Sequence, residues 1–356
     1  VCTPPPEVLA KYDGDVGGPA LDDDAVYWSQ GNTLLRRAKG GGDPSVVTTT
    51  PSGPQRLAVD GTHVYWTEPS TGSVGRAPKM GGPAEIVAAG EAKPFGLGLD
   101  ADAVYWTTIT GNAIRRRAKV GGSPQTLTDL ASNCTDLALD ADAVYWSNAF
   151  DGGGMGRILK TGGAAATLFP VEEIPGSLAV DDASVYVWVA DPSTDGWPGQ
   201  PMRVAKSGGV MIALAPLDKQ GAGQLTVDAT HVYWALSSGL VMRAAKGAPG
   251  AVETVVDVAP PSAGRIRIAP GGRRVRAAVH ADSGRFHDWL LGLLRRDPRQ
   301  AHAGRARLGE RVDDRGRDAE ALQDGVHGRH HSSPRGLRHR RPTRPLTRRA
   351  GTSGRG

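Results

Sequence analysis

The sequence predicts an all-β propeller, and three observations carry that prediction. A stretch of about 40 residues recurs, most legibly through its tyrosines Tyr27, Tyr65, Tyr105, Tyr145, Tyr186 and Tyr233, spaced 38, 40, 40, 41 and 47 residues apart. Each copy carries the same order of signals: an alternating apolar run ending in Asp, an aromatic pair, a basic alternating run, and a small-residue turn. The copies stop abruptly near residue 264, where Tyr and Lys vanish and Arg takes over. Short β-rich runs punctuated by Gly and Asp at this period are what propeller blades require.

The third copy, residues 99–127, is the clearest. Leu99-Asp100 and Ala101-Asp102 lead into Val104-Tyr105-Trp106-Thr107, then Ile114 to Lys119, Gly121-Gly122 and Gln125-Thr126-Leu127. Leu-x-Leu-Asp reads as a half-buried strand, because residues two apart share a face. The aspartates Asp22, Asp60, Asp100, Asp140, Asp181 and Asp228 fall where the first strand turns into the second. There a carboxylate accepts backbone N–H groups two residues on, so these residues are expected to cap turns. One ligand per turn makes a poor metal cage.

Adjacent Tyr and Trp on a strand point to opposite faces, so one ring is expected against the neighbouring blade and the other against the opposite face. The lysines Lys39, Lys79, Lys119, Lys160, Lys206 and Lys246 recur just before the small-residue turn, and their alternation with Arg115 and Arg117 reads as a solvated blade surface. In the fifth copy Val187 reads as an insertion between Tyr186 and Trp188. That copy also has a longer loop, residues 191–199. Trp197, with Asp191 and Asp195, is the candidate binding site because it lies outside the repeating scaffold.

Ahead of the first copy, residues 1–6 read as a linker and residues 7–16 hold an orphan strand followed by the turn-rich Asp13 to Gly18. An orphan fourth strand fits the last blade of a ring, since closure leaves no unpaired edge. The propeller is therefore placed at residues 7–263. A seventh copy should follow, but only Arg265-Ile266-Arg267-Ile268 resembles its first strand, and Pro270-Gly271-Gly272-Arg273 stands where an Asp and a Val-Tyr-Trp are due. Seven blades are expected by design, six being the alternative.

From Arg265 onward the chain has 23 Arg, no Lys and nine acidic residues, a net of +14, whereas the residues before it carry 19 basic and 28 acidic ones, a net of −9. Residues 264–356 read either as a low-order basic tail that binds nucleic acid or an anionic surface, or as the product of a slipped reading frame in a GC-rich gene. Loss of a repeat in mid-copy favours the slip. Tail histidines such as His330 and His331 have no packed surroundings to fix a metal.

With these residues in hand, the copies resemble the YWTD-type propeller repeats of low-density-lipoprotein-receptor proteins and their bacterial secreted relatives. The match rests on Tyr27-Trp28-Ser29, Tyr65-Trp66-Thr67, Tyr105-Trp106-Thr107 and Tyr145-Trp146-Ser147, with the downstream Gly, Ile/Val-x-Arg and Gly-Gly signals. The family's Asp after Thr is replaced by Gln30, Glu68, Thr108 and Asn148. The resemblance implies an extracytoplasmic (periplasmic, cell-surface or secreted) platform that binds a protein or small ligand, a monomer if the ring closes.

No nucleophile elbow, zinc triplet, phosphate loop or EF-hand loop is present, and no cofactor or metal is implied. Before residue 264 the only histidines, His63 and His231, occupy the same scaffold position in two copies and read as turn residues. A non-catalytic scaffold is thus the first expectation. A propeller lyase or hydrolase with a site in the central channel is the second, and a tail-borne nucleic-acid binder the third. No stretch is long and apolar enough for a transmembrane helix. Cys2 and Cys134 are the only cysteines, and Cys2 beside Pro4-Pro5-Pro6 resembles a lipidation site.

Overall fold

In the computed structural model the described residues are 16–148, 154–169, 174–191, 198–218, 222–236, 238, 240–257, 267–269 and 276–278. All belong to the first of two units into which the chain divides, Val1–Leu293 and Leu294–Gly356. Every recurring stretch folds as an antiparallel sheet of four consecutive strands, because Val, Tyr, Trp and Thr suit a pleated, half-buried surface.

The first sheet comprises β1 (Val16–Leu21), β2 (Ala25–Gln30), β3 (Thr33–Ala38) and β4 (Ser45–Thr49). The second comprises β5 (Arg56–Val59), β6 (His63–Glu68), β7 (Ser73–Pro78) and β8 (Glu85–Ala88). The third has β9 (Pro94–Leu99), β10 (Ala103–Thr108), β11 (Ala113–Ala118) and β12 (Gln125–Thr128). The fourth has β13 (Cys134–Leu139), β14 (Ala143–Asn148), β15 (Met155–Leu159) and β16 (Ala166–Phe169). The fifth has β17 (Ile174–Val180), β18 (Ser184–Ala190), β19 (Gly199–Ala205) and β20 (Ile212–Ala213). The sixth has β21 (Ala222–Val227), β22 (His231–Leu236), β23 (Leu240–Ala245) and β24 (Val252–Asp257). A two-stranded hairpin, β25 (Arg267–Ala269) with β26 (Arg276–Ala278), follows.

The first strands of successive sheets lie side by side, β1 against β5, β5 against β9, and so on to β17 against β21. A single parallel bridge, Gly18 to Arg56, joins the first two sheets into one curled eight-stranded sheet. The strand β25 lies against both β21 and β1. The arrangement is propeller-like: strand one of each sheet is innermost and strand four outermost.

The aromatic pair packs as its alternation demands. Tyr105 joins Leu137, Val144, Trp146 and Ile158 of the following sheet, whereas Trp106 joins Tyr65, Val74 and Val87 of the preceding one. Both rings are fully buried. Each such ring contributes about 2 kcal/mol of burial, so the sheets are glued face to face by one large aromatic from each side. Trp66 lies so close over β7 that a Cβ on Gly75 would stand 2.5 Å from its ring atoms. Gly121 and Gly122, at φ 120° and 96°, make the turn that leads to β12.

Three details differ from expectation. Val16 to Gly18 belong to β1, which accommodates its two glycines with a bulge between Gly17 and Ala20. Val187 is no insertion. It pairs with Leu178 as Trp146 pairs with Leu137, so it replaces the tryptophan, and it packs against Tyr145 of the preceding sheet. Trp188 therefore stands at the Ser/Thr position and shares the face of Tyr186, towards Trp234. The lysine row is not a solvated surface, as described next.

Cys134 is a buried free thiol whose S–H donates to the Asp136 carbonyl at 3.2 Å, and burial pushes its pKa up. Cys2, the linker 1–6, the orphan strand and the tail outside β25 and β26 lie outside the described residues. Among the described residues no helix is long and apolar enough to cross a membrane.

Candidate functional site

The antiparallel registers give the sheets two ends. At one, strand one turns into strand two and strand three leads to strand four. At the other, strand one begins and strand two connects to strand three. The two are built very differently.

The first end repeats. In each of six sheets the turn aspartate accepts two backbone N–H groups through Oδ1: Asp100 from Asp102 at 2.9 Å and Ala103 at 2.7 Å, Asp140 from Asp142 at 2.9 Å and Ala143 at 2.7 Å. Asp22, Asp60, Asp181 and Asp228 do the same. Turn capping was thus legible. The second oxygen was not. Oδ2 accepts the hydroxyl of the strand-two tyrosine, as in Tyr145 to Asp140 at 2.7 Å and Tyr186 to Asp181 at 2.8 Å. It also accepts a lysine from the next sheet.

Those lysines are the ones read as solvated. Lys79 meets Asp22 at 2.9 Å, Lys119 meets Asp60 at 2.8 Å, Lys160 meets Asp100 at 2.9 Å, Lys206 meets Asp140 at 2.7 Å and Lys246 meets Asp181 at 2.6 Å. Four of them also lie over the tyrosine ring they cross, with Lys246 5.0 Å from the Tyr186 centroid. The long apolar stem and short turn bring the ammonium back between the sheets rather than out into water. Arginines of strand three return the contact: Arg76 donates to the Lys119 carbonyl at 3.1 Å and Arg203 to the Lys246 carbonyl at 2.7 Å.

Burial alone would raise these carboxyl pKa values. Hydrogen bonds from Lys160, Tyr105 and two backbone N–H groups outweigh it at Asp100, and the equivalent set does so at Asp181, holding both at about 2. Asp22, Asp60 and Asp140 are lowered for the same reasons. The tyrosines move the other way: burial, then the bond to the carboxylate, pushes Tyr145 and Tyr186 up to about 12.

The second end varies. Four residues before each turn aspartate, where strand one begins, stand Gly18, Arg56, Gly96, Asp136, Ser177 and Gln224. Arg56 lies over the Phe95 ring of the next sheet, 5.4 Å from its centroid. Its guanidinium reaches the Thr135 carbonyl at 3.4 Å and Asp136 Oδ1 at 3.8 Å, two sheets away. Asp136 Oδ2 accepts the Leu178 N–H, and Ser177 Oγ accepts the Leu225 N–H. Gln224 is buried, and among the described residues neither of its amide atoms has a hydrogen-bond partner. Hydroxyls link the sheets here as well: Ser29 to the Pro54 carbonyl, Thr67 to Phe95 and Ser147 to Gly176.

The β18–β19 connection, home of the sequence-chosen residues, leaves from this second end. Asp191 N–H donates to the Pro198 carbonyl at 2.8 Å, and Trp197 and Asp195 lie outside the described residues. Arg56, Asp136 and Gln224 were missed. Their signal is a position at which otherwise regular copies carry six residues of five kinds. His63 and His231 sit beside the turn aspartates, each ring nitrogen against the preceding threonine hydroxyl at 2.8 and 2.7 Å, in separate sheets. Among the described residues no group of three or more His, Cys, Asp or Glu is placed to hold a metal ion.

No family model and no curated protein matches the chain. Solved structures do. A chain from a crystal structure of a nidogen/laminin complex superposes with a TM-score of 0.50 at 17% identity, over 73% of this chain and 98% of that one. A computationally designed protein, Ika8, superposes with a TM-score of 0.56 at 15% identity, over 76% of this chain and 83% of that one. At such identities the likeness is one of fold.

Proposed function

We propose that the chain is a seven-bladed propeller of the YWTD type that acts outside the cytoplasm as a non-catalytic recognition scaffold. Its binding face is the second end of the sheets, with Arg56, Asp136 and the 191–198 connection. One observation carries this reading: the same strand position holds Gly, Arg, Gly, Asp, Ser and Gln around that end, while the opposite end repeats one contact set from sheet to sheet. A scaffold position that repeats builds the ring; one that carries five kinds of residue in six copies, with Arg56, Asp136 and Gln224 buried, gives this end its individual chemistry. Two similarities support the reading. The first four sheets carry the Tyr-Trp-Ser/Thr signature, and one structure of similar fold comes from a complex of two proteins. Seven blades are supported by β25, which lies between β21 and β1 where a seventh first strand belongs.

In this reading the frame slips near codons 264–270, and the chain beyond β25 is a shifted frame rather than a domain. Sequencing across codons 255–280 checks it: another frame should restore an Asp and a Val-Tyr-Trp at the repeat spacing. The binding face is tested by immobilising the chain and quantifying proteins captured from the culture medium and cell envelope of its source. Asp195→Ala/Trp197→Ala should reduce capture of a specific protein at least about tenfold, as loss of an aromatic anchor at an interface does. Asp43→Ala, in the loop before β4 at the opposite end, should leave it unchanged. Equal capture by all three chains overturns the assignment.

A further inference from the structure

The Lys–Asp contacts form a directed series. The lysine of each sheet reaches back to the turn aspartate of the sheet before it: second to first, third to second, and on to sixth to fifth. Such a series has two ends. Asp228, the turn aspartate of the sixth sheet, holds Tyr233 at 2.7 Å and its own turn N–H groups, yet among the described residues no lysine meets it. Lys39, the lysine of the first sheet, likewise meets no carboxylate among them, although its backbone N–H is held at 2.8 Å like that of its counterparts. The sheets that hold these two ends, the sixth and the first, are also the two that β25 lies against.

A third group points the same way. Asp136 and Ser177 each accept the N–H of the next sheet's first strand. Gln224 stands at the equivalent place in the sixth sheet, and both its amide atoms are buried without a partner among the described residues. The donor it lacks would come from a following first strand. Among the described residues after the sixth sheet, neither β25 nor β26 contains a Lys or an Asp.

We propose that the seam between the sixth and first sheets is a docking surface for a seventh four-stranded unit of the same repeat, which brings a lysine to Asp228 and a turn aspartate to Lys39. The occupant is defined by chemistry: Leu-x-Leu-Asp, Val-Tyr-Trp, then Lys before Gly-Gly. Its Asp and Lys, about 19 residues apart as Asp100 and Lys119 are, close the series into a circle. A partner with only one of the two charges leaves one end of the series open. The inference rests on the seven-bladed reading and adds to it the two contacts that select the unit.

The test keeps the full chain and inserts a copy of residues 89–128, the third unit with its leading connection, after Asp257. Four thermal melts are compared: the chain and the inserted chain, each with and without Lys39→Met. A fifth carries Lys119→Met in the inserted copy only. The insertion should raise the midpoint by about 5 °C or more. Lys39→Met should leave the chain unchanged and lower the inserted chain by about 2 °C, and the copy's Lys119→Met should do the same, as expected for a partly buried ion pair in a domain of this size. If the insertion does not raise the midpoint, the seven-bladed reading falls and the inference with it. If it does, while the lysine substitutions act alike in both contexts, the seventh unit stands and the charge-selected docking is overturned.

Discussion

The two ends of the sheets are assembled from the same strands and obey different rules. At the turn end one contact set recurs: a carboxylate caps its own turn, holds its own tyrosine and receives a lysine from the next sheet. At the other end the equivalent strand position changes from sheet to sheet, so the contacts there are individual, such as Arg56 crossing to Asp136. Uniformity is what a ring joint needs, since each joint must be compatible with the next. Variety is what recognition needs, since a surface of identical units presents no unique feature. The division of labour is read within a single chain, copy against copy.

The comparison breaks most visibly where a joint is removed. Asp140→Ala strips two backbone N–H caps, the Tyr145 hydroxyl and Lys206 at once, and should destabilise by about 3 kcal/mol. Ser177→Ala at the other end loses one hydrogen bond, to the Leu225 N–H, and should cost about 1 kcal/mol. Urea midpoints with unchanged slopes check both. Gly75→Val places a side chain against the Trp66 ring and should cost about 2 kcal/mol by overpacking, without changing capture of a partner by the far end.

Acid sharpens the contrast because the carboxylates at the turn end share one titration. Their folded pKa values are depressed, Asp100, Asp181 and Asp228 to about 2, against an ordinary value of 3.8. A depressed carboxylate contributes stability that is fully present above its unfolded pKa and is lost as pH falls through the folded one. Stability should therefore hold down to pH about 4 and fall steeply between 4 and 2. The tyrosines mirror this. Tyr145 and Tyr186 are raised from 10.0 to about 12, so their contribution is present below pH 10 and is lost as pH rises through 12. Equilibrium melts across both ranges read the two limbs. The single lysine ranks with Ser177: Lys206→Met should cost about 1 kcal/mol.

What was legible in the sequence follows the range of each interaction. The turn caps act over two and three residues, so Asp100 announces its role through its neighbours Asp102 and Ala103. The opposite facing of Tyr105 and Trp106 follows from strand alternation alone. The lysine joints span a whole repeat, 57 residues from Asp22 to Lys79, and nothing local distinguishes such a lysine from a solvated one. Only the shared period of Asp and Lys carried that signal. Val187 was misread because the aromatic was followed rather than the spacing: Asp181 to Tyr186 is five residues, as Asp140 to Tyr145 is. Arg56 was invisible for the opposite reason. Its partner Asp136 is two sheets away and 80 residues along the chain, beyond the reach of any local pattern.

The account turns on the joint between sheets, and a double-mutant cycle on Asp140 and Lys206 measures that joint alone. Asp140→Asn, Lys206→Met and the double variant are unfolded in urea at pH 7. Asp140→Asn keeps an oxygen for the turn caps, so the cycle isolates the ion pair from the turn. A coupling free energy of about 1 kcal/mol, with Lys206→Met nearly silent once Asp140 is gone, is the predicted result. Strictly additive losses would contradict it, and would mean that the repeated lysine only decorates a ring held by its aromatic faces.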